Sequence, residues 1–225
     1  MAGDGPDLDR TAQKALEWVE AGQTIGLGTG RAAAQFVRAL GARVRDGLSV
    51  RGVPTSDATE ALAADLGIPL VTLADAGVID VTFDGADEFT PELDLVKGWG
   101  GALVREKIVA ASSRKLVILV GPEKKVARLG ERGKVPVEIV PFGRALCERR
   151  LAEMGHEPAV READGGPMLT DNGNFILDCA VASIADARAW EAEVQAVPGV
   201  VGTGLFLGMA DAVLCQDGDE VEVFT

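Results

Sequence analysis

Between residues 80 and 107 the chain reads DVTFDGADEFTPELDLVKGWGGALVREK, which collects the residue types that proton transfer needs. Asp84, Asp87, Glu88 and Glu106 supply carboxylates, Lys97 an ammonium, and glycines at 85, 98, 100 and 101 punctuate them. Carboxylates beside glycines just past a strand-like run point to acid–base chemistry on a bound molecule. With 102–111 as a helix, the residues three and four positions from Glu106 are Ala102, Leu103, Val109 and Ala110, all apolar, while Arg105 and Lys107 point elsewhere. A carboxylate on that face is partly desolvated, which raises its pKa and suits it as a base near neutral pH. The same position equally suits a buried ion pair with a nearby Arg or Lys, and spacing leaves both readings open. Asp84 and Asp87 read either as turn caps or as groups that hold neighbouring sugar hydroxyls and pass a proton between oxygens. A divalent-metal site there is the weaker reading, because Mg²⁺ sites of this kind usually need phosphates to complete them. Lys97 is either a solvated loop lysine or the charge that stabilises a developing enediolate oxygen.

A second glycine turn, GLGTG at 26–30, follows an apolar run. It resembles half of a dinucleotide fingerprint, but the third glycine is missing and VPTS at 53–56 offers no acid for a ribose. An anion cradle at a helix N-terminus fits better, with Thr29 and backbone N–H groups as donors.

Those two turns must be positioned by the surrounding elements. Apolar runs at 23–27, 48–53, 69–73, 78–83 and 116–120 alternate with helical patterns at 11–21, 32–45, 58–66 and 102–111. Ser56 and Asp57 are cap candidates for the third helix. Near-continuous Val/Ile/Leu strands separated by helices indicate a parallel, Rossmann-like sheet covered on both faces, whose ligands bind beyond the carboxyl ends of the strands. After residue 134 the rhythm becomes strand, helix, short strands at 159–161, 167–170 and 175–180, a helix at 185–197 and a strand at 200–207. That order predicts a smaller ferredoxin-like α+β domain over 131–207, inserted in a catalytic domain formed by 1–130 and 208–225. Segments 212–215 and 221–224 read as strands that rejoin the first sheet.

Composition excludes several classes. The formal charge of −13 and the lack of a basic stripe argue against nucleic acid. No apolar run approaches the roughly 20 residues a bilayer span needs, and MAGDGPDLDR lacks the pattern of a signal peptide. Cys147, Cys179 and Cys215 show no C-x-x-C spacing and read as free thiols of a reducing cytoplasm. One histidine, His156 in a GHEP turn, leaves no His-based metal site or triad.

GLGTG at 26–30, VPTSDATEAL at 53–62, DGADE at 84–88, KGWGGALVREKIVA at 97–110, KKVARLG at 124–130, VPVEIVPFG at 135–143, TDNGN at 170–174 and PGVVGTGLF at 198–206 together resemble the signature blocks of ribose-5-phosphate isomerase, type A, in the family's order and over nearly the whole chain. The resemblance implies interconversion of ribose 5-phosphate and ribulose 5-phosphate in the pentose phosphate pathway, with no metal or cofactor, by a cytoplasmic homodimer or homotetramer. It implies Glu106 as proton acceptor, with Asp84, Asp87 and Lys97 around the sugar oxygens and Gly85, Ala86, Gly98, Trp99 and Gly100 lining the substrate. On the phosphate side it implies Thr29, Gly30, Arg31 and Ala32, with Lys124 approaching from a later loop. The family usually reads GTGST where this chain has GTGRA, and KGGG where Trp99 interrupts the glycines. A lysine often carried in the family's first helix has no clear counterpart; Arg10 and Lys14 are nearby. Arg31 either turns inward to a phosphate or faces solvent or an acid such as Glu60. A rival reading is a non-enzymatic sugar-phosphate-sensing domain, which needs the cradle but not Glu106 or Lys97 and would accompany a DNA-binding segment.

Overall fold

The computed structural model describes residues 8–225; the N-terminal 1–7, where part of the leader reading falls, lie outside the described residues. The chain forms two compact units. The first comprises the described part of Met1–Gly85 with Ile108–Lys125 and Ala210–Thr225, and the second comprises Ala86–Lys107 with Val126–Met209.

The first unit is a six-stranded sheet in the order Glu220–Phe224, Ala212–Asp217, Leu116–Val120, Val81–Gly85, Thr24–Leu27, Arg51–Pro54. The Ala212–Asp217/Glu220–Phe224 hairpin is antiparallel and every other pairing is parallel. LVILV at 116–120 is buried at every position, as a strand covered on both faces requires. On one face Phe36, Val37 and Leu40 of helix Arg31–Arg45 pack with Ile25, Leu27, Phe83, Val117 and Leu119. Val53, Ala76, Ile79 and Val109 form a separate cluster. Ser56 caps helix Asp57–Asp65, accepting the Thr59 N–H.

The second unit is a four-stranded antiparallel sheet in the order Val200–Thr203, Lys134–Ile139, Phe175–Ala180, Glu157–Val160, with helices Arg144–Glu153 and Ala187–Gln195. In chain order the strands lie 4-1-3-2, the ferredoxin-like arrangement that the sequence predicts. Its core includes Val135, Val137, Ile139, Leu151, Leu177 and Val194. A further three-stranded sheet joins Leu205–Phe206, Leu95–Val96 and Glu88–Phe89.

The sequence reading differs from the structure in several places; the helix expected over 11–21 is Asp9–Leu16, and the strand expected over 48–53 is Arg51–Pro54. Residues 69–73 contribute one bridge, Leu70 to Gly52, and Leu73–Ala76 is a helical turn. Thr72 caps that turn by accepting the Asp75 N–H, a local bond that outcompetes strand pairing. The strand expected over 200–207 breaks at Gly204, whose N–H goes to the Pro136 carbonyl and whose carbonyl accepts the Lys97 N–H. The strands expected at 159–161 and 167–170 are Glu157–Val160, Glu162–Ala163 and Gly166–Pro167. Among the described residues no helix is long and apolar enough to cross a membrane.

Candidate active site

In the first unit, three adjacent strands of the sheet end in sequence-predicted residues. Thr24–Leu27 runs into Thr29–Arg31, Val81–Gly85 carries Asp84 and Gly85, and Leu116–Val120 leads to the turn Pro122–Lys124. These are carboxyl ends of parallel strands, where open α/β sheets place their ligands. Asp84 is 1% exposed, and its Oδ1 accepts the N–H groups of Thr29 at 3.1 Å and Gly85 at 2.7 Å. The turn approaches Asp84 so closely that a Cβ at Gly28 would collide with the Asp84 carboxylate and the Phe83 carbonyl. Gly30 precedes helix Arg31–Arg45 and gives it no side-chain cap, so the N–H groups of Arg31 and Ala32 open the first turn. Arg31 is exposed, Ala32 and Lys124 are half-buried.

The Thr29 hydroxyl lies within a hydroxyl cluster, 2.7 Å from Thr55 Oγ1 and 2.8 Å from Ser56 Oγ. Thr59 completes the set by donating to the Gly28 carbonyl at 2.9 Å. Sequence pattern predicts Ser56 only as a helix cap. The density of hydroxyls in VPTSDAT was the available signal for the rest.

The second unit gathers the charged residues. Lys97 and Glu106, nine positions apart, are 2% and 4% exposed, and Lys97 Nζ donates to Glu106 Oε1 at 3.2 Å. The ion pair left open by the spacing is therefore present, and its partner is the other candidate for chemistry. Helix Leu103–Ala111 explains the selection. Its neighbouring cations are diverted, Arg105 to Asn172 Oδ1 and the Asp171 carbonyl, and Lys107 to Glu191 at 3.2 Å. Burial pulls the Lys107 ammonium below the usual lysine range, although Glu191 opposes the shift. The turn that holds Arg105 is itself anchored, because Thr170, Asn172 and Asn174 all donate to Oε1 of the buried Glu138.

Three contacts fix the loop bearing Lys97. The Lys97 N–H donates to the Gly204 carbonyl at 2.8 Å, Asp87 Oδ2 accepts the Trp99 N–H at 2.9 Å, and Lys97 Nζ sits 5.5 Å from the Phe206 ring centroid. Gly98 has φ near +99°, a backbone open to glycine at little cost. Asp87 thus makes the turn contact that its residue type suggested, with Ala86 beside it half-buried and Gly100 exposed. Glu88 plays a structural part. It is fully buried and accepts the N–H groups of Gly130 and Arg132 at 2.5 and 2.6 Å. Burial still pushes its carboxyl above the ordinary glutamate range against those donors. Among the described residues no cluster of three His, Cys, Asp or Glu side chains has the arrangement of a metal site.

A family model described as ribose 5-phosphate isomerase A (phosphoriboisomerase A) matches residues 51–220. Ribose-5-phosphate isomerase A of Roseiflexus castenholzii is 51% identical over 94% of this chain and 92% of its own. The protein of the same name from Gloeobacter violaceus is 49% identical over 97% of both chains. Ribose 5-phosphate isomerase A of Methanocaldococcus jannaschii superposes with a TM-score of 0.91 at 43% identity, over 96% of each chain. A D-ribose-5-phosphate isomerase in complex with phospho-erythronic acid gives 0.93 at 35% identity, also over 96% of each. The chain belongs to the ribose 5-phosphate isomerase A family.

Proposed function

We propose that this protein interconverts D-ribose 5-phosphate and D-ribulose 5-phosphate, an aldose–ketose isomerisation of the pentose phosphate pathway. The reaction moves a proton between C1 and C2 through an enediolate. It needs one base that serves both carbons, a carrier between O1 and O2, and a cation for the oxyanion. The observation that carries the reading is the buried Lys97–Glu106 pair. Ionised Glu106 takes the carbon proton and becomes neutral, so the negative charge moves to the sugar oxygen. Lys97, relieved of its counter-ion in the same step, then serves that oxygen. Such a pair stabilises the transition state more than the resting substrate, as catalysis demands. Asp84 is the proposed carrier between O1 and O2, and Asp87 positions the Lys97 turn and a sugar hydroxyl.

The N–H groups at 30–32 are proposed to hold the phosphate, assisted by Thr29, Arg31 and Lys124. Relatives named as isomerases at about half identity favour an enzyme over a sugar-phosphate sensor. The proposed enzyme is a cytoplasmic homodimer or homotetramer without a metal; its three free, buried cysteines suit a reducing compartment. A coupled assay of ribulose 5-phosphate formation in deuterated water tests the reading. Turnover with deuterium entering at the substrate carbon is expected, and a pure, folded protein without turnover would overturn it.

A further inference from the structure

We infer that Arg161, oriented by Asp178, is a positioning residue that sets the Lys97 ammonium against Glu106; this rests on the isomerase reading above. Arg161 lies just past strand Glu157–Val160, and its side chain is 11% exposed. Nη1 donates to two consecutive carbonyls, Gly98 at 2.9 Å and Trp99 at 3.0 Å. Nε and Nη2 grip both oxygens of Asp178, at 3.0 and 2.5 Å. Asp178 lies within Phe175–Ala180, one of the two inner strands, paired with Pro136 on one side and Ala159 on the other. The guanidinium therefore ties the residues that follow Lys97 to the rigid middle of the four-stranded sheet.

Only a planar fork serves two carbonyls and a carboxylate together, so geometry as well as charge is specified. The Gly98 carbonyl also accepts the Gly101 N–H at 3.0 Å, which leaves the peptide plane joining Gly98 to Trp99 little freedom. With that plane fixed, the Trp99 N–H meets Asp87. Lys134 ties the same assembly together, donating to Asp178 Oδ2 at 2.8 Å and lying 5.3 Å from the Trp99 ring centroid. Arg132 lies 5.5 Å from that centroid, so the indole that interrupts the glycines has two cations within cation–π range and becomes part of the clamp. Burial alone would lift the Asp178 carboxyl, but Arg161 and Lys134 outweigh it and hold the group below the usual aspartate range, so the clamp is ionised throughout the working pH range.

A displaced catalytic group loses rate steeply while substrate binding survives. Turnover and KM for ribose 5-phosphate, with Tm, are to be measured for Arg161→Met, Arg161→Lys and Asp178→Asn. Val135→Ala, a core change in the same sheet, serves as the control for lost stability. We expect kcat to fall about 30-fold in Arg161→Met, with partial recovery in Arg161→Lys and a smaller fall in Asp178→Asn. KM should stay within about threefold of wild type, and Val135→Ala should lose Tm but keep kcat. If Arg161→Met does not fold, the other two variants carry the same test. Wild-type kcat in Arg161→Met, or a kcat in Val135→Ala that falls as far as in the Arg161 variants at a comparable loss of Tm, would overturn the positioning role alone. A wild-type protein without turnover would overturn the isomerase reading and this role with it.

Discussion

The turn at 28–32 and the loop at 97–106 solve different problems with different materials. The first is built of backbone N–H groups and neutral hydroxyls, with Gly30 and Arg31 exposed. The second is built of charges taken out of water, Lys97 and Glu106, held by a loop with bonds to Gly204, Asp87 and Arg161. Backbone donors keep their direction whatever side chain follows them, which is how GTGRA can stand where the family usually has GTGST. Buried charges have no such tolerance, because each needs its partner.

Changes in the charged loop should therefore cost most. Glu106→Gln keeps shape but removes the base, and kcat should fall by about 10²–10⁴. The protein should stay folded with a lowered Tm, since buried Lys97 loses its counter-charge. Retention of more than about a tenth of wild-type turnover would remove Glu106 from the base role. In the backbone-built turn the largest expected effect is geometric. Gly28→Ala drives a Cβ into Asp84 and the Phe83 carbonyl, and overpacking of this kind costs about 1–3 kcal/mol of stability; a Tm equal to wild type would contradict the close approach.

Arg31→Ala tests whether the exposed arginine joins the cradle. A lost hydrogen bond to phosphate costs about 1.5–3 kcal/mol, a KM rise of roughly 10- to 150-fold. The double change Arg31→Ser with Ala32→Thr should do much less harm, and an unchanged KM in Arg31→Ala would leave the phosphate to the backbone. Smaller still are two opposed pH effects within the second unit. Asp178 is held below the unfolded value of 3.8, so its stabilisation is complete above that pH and is lost as pH falls through its folded value. Glu88 is raised above 4.5, so its contribution is complete below that pH and is lost as pH rises through its folded value. Denaturant titrations of Asp178→Asn and Glu88→Gln against wild type should show stability gaps that move in opposite directions with pH. Exhaustive EDTA treatment should leave activity unchanged, because the described residues offer no three-ligand cluster; a loss restored by Mg²⁺ or Mn²⁺ would contradict this.

Periodicity made the sheet legible. LVILV at 116–120 and FILDCA at 175–180 are strands with the boundaries the sequence predicts. Glycine turns beyond apolar runs located GLGTG and DGADE at strand ends, because only a few residue types suit such turns. Local capping at Thr72 and the break at Gly204 escaped a reading based on apolar runs. The Lys97–Glu106 contact was out of reach for a different reason. Spacing gave Glu106 an apolar face, but which of the nearby cations met it depended on Arg105 and Lys107 finding partners 67 and 84 positions away. Arg161 carried no local signal at all, since its role exists only once strand Glu157–Val160 lies beside Asp178.

The three thiols give the two units separate clocks. Burial pushes Cys179 to about 12 and Cys215 to about 11, so neither is a thiolate at neutral pH while its unit is closed. Cys215 lies in the first unit, Cys147 and Cys179 in the second. Alkylation by iodoacetamide must then await local opening, and its rate at each position reports how often that unit opens. Mapping the label by mass spectrometry would time the opening of the six-stranded sheet and of the Lys97 scaffold independently, without altering a residue.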